Sequence, residues 1–199
     1  MTDDLHANEL NERLKLIESM IFEGRRKTES WGWTFLLWGV AYFVAIGWTA
    51  LGSAALAWPV TMIAAAILTG ILAARQSNRG PETTLGRALG SIWMGMGISM
   101  FLLFIAMGFS RRFEEHVFVA IVAAMLGGAN ATSGLLLRWK AQFACAVVWW
   151  ATAIAACFVA EAQVTIVFLA AIFLCQIVFG IYAMVRDAQA RRQREAAHA

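Results

Sequence analysis

Six stretches of this chain carry almost no charge, and each is about long enough to cross a lipid bilayer: residues 31–51, 56–74, 88–109, 116–137, 141–160 and 163–185. A helix rises about 1.5 Å per residue, so roughly 20 apolar residues span a hydrocarbon core of ~30 Å. Inside lipid every backbone N–H and C=O must find its partner within the protein. The stretches are apolar on nearly every face and show no strand-like alternation, which leaves helices. Composition agrees. Of 199 residues, 60% are hydrophobic and 15% charged, against about 25% charged in a soluble domain. A water-soluble domain of this size has no room to hide so much apolar surface. Disordered, collagen-like and ordinary cytosolic enzyme chains are excluded on the same ground.

The expected fold class is therefore all-α. It is a polytopic integral membrane protein with six transmembrane helices as three antiparallel hairpins, preceded by an amphipathic cytoplasmic helix. Residues 1–30 form that helix, 31–185 the six-helix transmembrane bundle and 186–199 a basic cytoplasmic tail. The links are short, which makes successive helices antiparallel neighbours. Residues 75–87 turn at Gly80-Pro81, 110–115 form a charged turn, and 138–140 make a link of three residues. Residues 1–30 lack the apolar core of a signal peptide, so the first apolar segment serves as its own insertion signal.

Basic residues set the orientation. With the N-terminus in the cytoplasm, fourteen of the sixteen Lys and Arg lie inside, and Arg111 and Arg112 are the exceptions. That bias places both termini in the cytoplasm of a cell with the protein in its inner (plasma) membrane. Trp31, Trp33, Trp58 and Trp139 fall near expected interfaces, where an amphipathic ring is favoured.

Leu10, Leu14, Ile17 and Ile21 repeat at helical spacing among charged residues. They form a narrow apolar row. Asn8 or Asn11 would cap this helix and Gly24 would end or bend it, just before Arg25-Arg26-Lys27. The row either lies on the inner leaflet, with the basic triplet against anionic lipid, or packs on another copy or a membrane-protein partner.

The chemistry-bearing residues are few. Away from their ends the six segments hold no Asp, Glu, Lys or Arg, although ion-coupled transporters usually place such groups in the membrane. There is no mid-membrane lysine, no facing histidine pair, no HExxH and no GxxxxGK[ST]. No catalytic residue, metal ligand or cofactor is assigned, and an enzyme is not expected. Nucleic-acid binding is not expected either, because topology accounts for the basic residues. Cys145, Cys157 and Cys175 lie in apolar runs and read as small packing residues.

Asn130, Thr132 and Ser133 in the fourth segment and Gln176 in the sixth are the polar intramembrane candidates. They line a narrow path or small ligand site, or they hydrogen-bond helices together. The sequon at Asn130 lies inside the membrane and cannot be glycosylated. Small residues recur every four positions at Ala66, Gly70 and Ala74, at Ser91, Gly95 and Ser99, and at Ala123, Gly127 and Ala131. Such rows let helix backbones approach closely. Outside, Arg111, Arg112, Glu114, Glu115, His116 and Glu161 form either a titratable cap or ordinary turn charges.

The expected function is binding or scaffolding: a membrane protein that self-associates or binds a partner through its N-terminal helix and small-residue faces. The alternative is an oligomeric channel or passive carrier for a small solute or ion, with its path near the fourth and sixth segments.

Overall fold

The computed structural model describes residues 2–52, 54–77, 84–110 and 114–198. Its elements are α1 (Thr2–Ser30), α2 (Gly32–Ala50), α3 (Ala54–Ser77), α4 (Thr84–Ser110), α5 (Glu115–Leu136), α6 (Lys140–Ala156), α7 (Glu161–Ile172), a π-helical segment (Phe173–Val178) and α8 (Phe179–His198). Among the described residues there is no strand. The Gly80-Pro81 turn, Arg79, Arg111 and Arg112 lie outside them.

Among the described residues, five helical stretches are long and apolar enough to cross a membrane: Glu9–Ala50, Leu56–Arg75, Thr84–Met107, Glu115–Leu136 and Glu161–Gln193. The remaining apolar helix, α6, has 17 residues, the lower limit for a span of roughly 17–25 residues. It is shorter than the expected 141–160 because the chain turns at Cys157, whose N–H reaches the Ile154 carbonyl at 3.0 Å.

The N-terminal helix departs from expectation in two ways. It starts at Thr2, so Asn8 and Asn11 are interior residues rather than caps. It also runs through Gly24 to Ser30. Gly24 is buried where the missing side chain admits neighbours: a Cβ there would stand 2.5 Å from Leu85 Cδ2 and 3.1 Å from Leu137 Cδ2. The glycine thus marks a close approach to α4 and to the end of α5, not a helix stop. Past it, the Thr28 hydroxyl donates to the Gly24 carbonyl at 3.1 Å and Arg25 pairs with Glu29. Only Trp31 separates α1 from α2; its N–H reaches back to Thr28 and its carbonyl accepts the Thr34 N–H at 2.9 Å.

At the centre, α5 packs most extensively on α6. The fit depends on glycine. A Cβ at Gly127 would stand 2.4 Å from the Trp150 ring, and one at Gly134 would stand 2.8 Å from the Phe143 backbone nitrogen. On the other flank α2 crosses the π segment and α8. Gly32 and Gly180 meet there, each facing the other's carbonyl oxygen, at 2.9 and 3.0 Å from an added Cβ. Two runs of edge-on or tilted rings lie in the interior. Phe35 touches Trp93 and Phe179, and Phe179 touches Trp139. Tyr42 touches Trp58 and Phe168, and Trp58 touches Phe118. Each well-placed ring pair is worth about 0.5–1.5 kcal/mol beyond its buried area. Trp139, expected near an interface, is a buried member of the first run. By contrast α3 rests mainly on α2, α4 touches α5 and α1, and most of both is exposed.

The α5–α6 link closes as a Schellman motif. Trp139 N–H bonds the Gly134 carbonyl at 2.8 Å and Arg138 N–H bonds Leu135 at 3.2 Å. Arg138 occupies the left-handed position usually given to glycine, with φ 49°.

Candidate functional site

Two regions concentrate polar side chains: a buried layer within the bundle, and a basic cleft where α1 meets α8.

The layer contains three of the four expected residues. Asn130, Ser133 and Gln176 are all buried, while Thr132 faces outward and donates to the Gly128 carbonyl of its own helix at 2.9 Å. Adjacent helical positions point about 100° apart, so Thr132 and Ser133 take different faces. The Ser133 hydroxyl accepts a hydrogen bond from Trp93 Nε1 at 3.1 Å, which ties α4 to α5. Asn130 Nδ2 donates to the Leu126 carbonyl at 2.9 Å, and its Oδ1 has no protein partner. Gln176 sits in the π segment beside Cys175, and its Oε1 likewise has no protein partner. A π turn adds a residue per turn and recurs at functional sites; here both Cys175 and Gln176 are buried within it.

Gln142 is a further buried polar residue of the bundle that was not singled out from the sequence. It is 0% exposed, and neither Nε2 nor Oε1 has a protein partner. The same holds for Nε1 of Trp139 and of Trp149. Gln142, Cys145, Trp149, Thr152 and Ala156 are all buried, and their spacing of three and four is one helix face. That periodicity was the available signal. Its strength was masked because Gln142 follows Lys140 so closely that it reads as a boundary residue. Cys145 and Cys175 are buried too, with Cys175 Sγ 3.6 Å from the Cys145 carbonyl across the α6–π contact; Cys157 is exposed.

The cleft gathers groups that are far apart in sequence. Arg25 Nε is 3.3 Å from Glu29 Oε1, and Arg186 Nε is 3.8 Å from the same oxygen. Glu29 is 7% exposed, which is unusual for a carboxylate and tolerable because guanidinium groups flank it. The Arg25 guanidinium also lies 5.3 Å from the Trp139 ring centroid, a cation–π distance. Arg26, Gln189 and Gln193 complete a cavity of about 230 Å³. A second cavity of about 190 Å³ shares Phe22 and Arg25 and is bordered by Arg138.

At the opposite end His116 Nδ1 donates to the Ala156 carbonyl at 2.8 Å, and Thr165 donates to Glu115. These bonds join α5 to α6 and α7. Among the described residues no group of three or more His, Cys, Asp or Glu is placed to hold a metal ion.

The three small-residue rows differ in their surroundings. Ala123, Gly127 and Ala131 are buried, with Gly127 against Trp150. Ala66, Gly70 and Ala74, and Ser91, Gly95 and Ser99, are exposed, and nothing lies within 4 Å of a Cβ added at Gly70 or Gly95. Along α1, Leu10, Leu14 and Ile17 are exposed, Leu10 by 61%, and Ile21 is half-buried. Comparison with protein-family models, with curated proteins and with solved structures finds no match for this chain.

Proposed function

We propose that the chain is a six-span membrane scaffold that self-associates, with both termini in the cytoplasm of a cell whose inner membrane holds it. The observation that carries this reading is the contrast among the small-residue rows. One row is consumed inside the bundle by Trp150, and two rows of the same spacing on α3 and α4 are left open. Against lipid a glycine face offers nothing that leucine would not, whereas against a second helix it permits close approach. The serines of the α4 row bond their own backbone, Ser91 to the Arg87 carbonyl and Ser99 to Gly95, both at 2.9 Å. That row is therefore smooth rather than reactive. The occupant is a second copy, and the exposed α1 row extends the same contact beyond the membrane. Orientation is supported by the gathering of Arg25, Arg26, Arg138 and Arg186 at one end of the bundle, as the positive-inside rule requires.

The test is cross-linking and single-molecule subunit counting in lipid nanodiscs. The wild-type chain is expected to form oligomers. Gly70→Leu/Gly95→Leu is expected to weaken association by at least about tenfold, the equivalent of ~1.4 kcal/mol. Leu14→Glu/Ile17→Glu should weaken it through the α1 row alone. A wild-type chain that stays monomeric, or oligomers indifferent to both variants, would overturn the proposal.

A further inference from the structure

We infer that the cleft between α1 and α8 is a binding site for a phosphate-bearing anion, either a lipid headgroup or free phosphate. Three arginines and one glutamate line it, a net of two positive charges in about 230 Å³, with Gln189 and Gln193 adding neutral donors. The arrangement is built rather than a chance crowding of surface charge. Glu29, nearly buried, is approached by Arg25 and Arg186 through Nε in each case, at 3.3 and 3.8 Å. Arg25, hydrogen-bonded to Glu29 through Nε, keeps its two terminal nitrogens, four N–H donors, for another acceptor, while Arg186 stands off at ion-pair distance. Trp139 supports Arg25 from the other side at 5.3 Å. The Arg25 fork, fixed by Glu29 and Trp139, together with Arg26 and Arg186 suits the bidentate geometry by which arginine recognises phosphate.

A second observation points the same way. Arg138 borders the adjoining cavity and is held at φ 49°. A side chain other than glycine costs of order 1–3 kcal/mol in that region, and such strain clusters at binding sites. Glycine would close the same Schellman motif without that strain. Arginine at this position adds a basic residue to the adjoining cavity, which Glu18 also lines. The site lies at the end of the bundle where α1 enters α2, the depth at which a headgroup would sit if the bundle spans a membrane. The free-phosphate form of the inference does not depend on that reading.

The experiment uses the full chain in mild detergent with two probes: phosphatidic acid scored by native mass spectrometry, and inorganic phosphate scored by equilibrium dialysis. Retention of at least one probe is expected. Arg26→Gln/Arg186→Gln should weaken it by at least about tenfold, since a charge-assisted bond is worth ~1.5–3 kcal/mol. Arg25 stays to hold Glu29 in that variant. If it fails to fold, Arg26→Lys/Arg186→Lys keeps both charges, loses the fork geometry and should still weaken retention. The control is Arg13→Gln/Arg192→Gln, which removes the same charge from positions outside the cleft. Phosphatidic acid retained alone assigns the headgroup as the source, and inorganic phosphate retained as well assigns the free anion. Binding of neither probe, or equal losses in cleft and control variants, would overturn the inference.

Discussion

Gly180→Leu is expected to lower stability by about 3 kcal/mol, at the upper end of what overpacking usually costs. A Cβ at this position would stand 2.9 Å from the Leu36 backbone nitrogen and 3.0 Å from the Gly32 carbonyl oxygen. Both are main-chain atoms, so relief requires α2 to move away from α8, and with it Phe35 from Phe179, whose rings are 5.1 Å apart. Thermal melting in detergent should fall by roughly 6–12 °C for a chain of this length. Gly95→Leu is the matched control. Nothing lies within 4 Å of its Cβ, and leucine is a better helix former than glycine by up to ~1 kcal/mol. At a dilution in detergent where both chains are monomeric, the variant should melt at the wild-type temperature or slightly above. Equal melting of Gly180→Leu and the wild-type chain would contradict the α2–α8 crossing described above.

Gln142→Leu is expected to act in the opposite direction and raise stability by about 1–2 kcal/mol. The Gln142 side chain is 0% exposed, and neither end of its amide has a protein partner. A buried polar group left unpaired carries a desolvation penalty of about 1–3 kcal/mol, and replacing it with an apolar side chain of similar size removes that penalty. Chemical unfolding in mixed micelles should show a higher midpoint for Gln142→Leu, with Gln142→Ala lower because it opens a cavity. If Gln142→Leu instead unfolds more readily, the amide belongs to a polar network that stabilises the bundle, and the penalty argued here is absent.

The helices were legible because apolar length is a one-dimensional property. Residues 56–74 and 116–137 can be read as helical without knowing what they touch; α3 covers the first and α5 the second up to Leu136. Pairwise features were not legible in this way. Gly127, Gly70 and Gly95 occupy equivalent places in equivalent rows, yet only Gly127 meets a ring, because Trp150 lies across the α5–α6 contact. No local pattern distinguishes the three. Gly24 resembles a helix stop until Leu85 and Leu137 are brought beside it from the far side of the bundle. Glu29 reads as one more solvated charge at a helix end. It is buried beside Arg25 and Arg186, the second of them distant in the chain. Among the candidate residues, Asn130, Ser133 and Gln176 reach the interior as their apolar neighbourhoods suggest, while Thr132 is turned out by the helix period alone.

The central claim is that the chain crosses the membrane an even number of times and keeps both tails on the basic side. It is tested most directly by tagging each terminus in turn and assaying tag accessibility in sealed, orientated membrane vesicles. Both tags should react only from the cytoplasmic face, and a reporter in the 110–115 link only from the opposite face. Tags that react from opposite faces, or a chain recovered from the supernatant without detergent, would contradict the account.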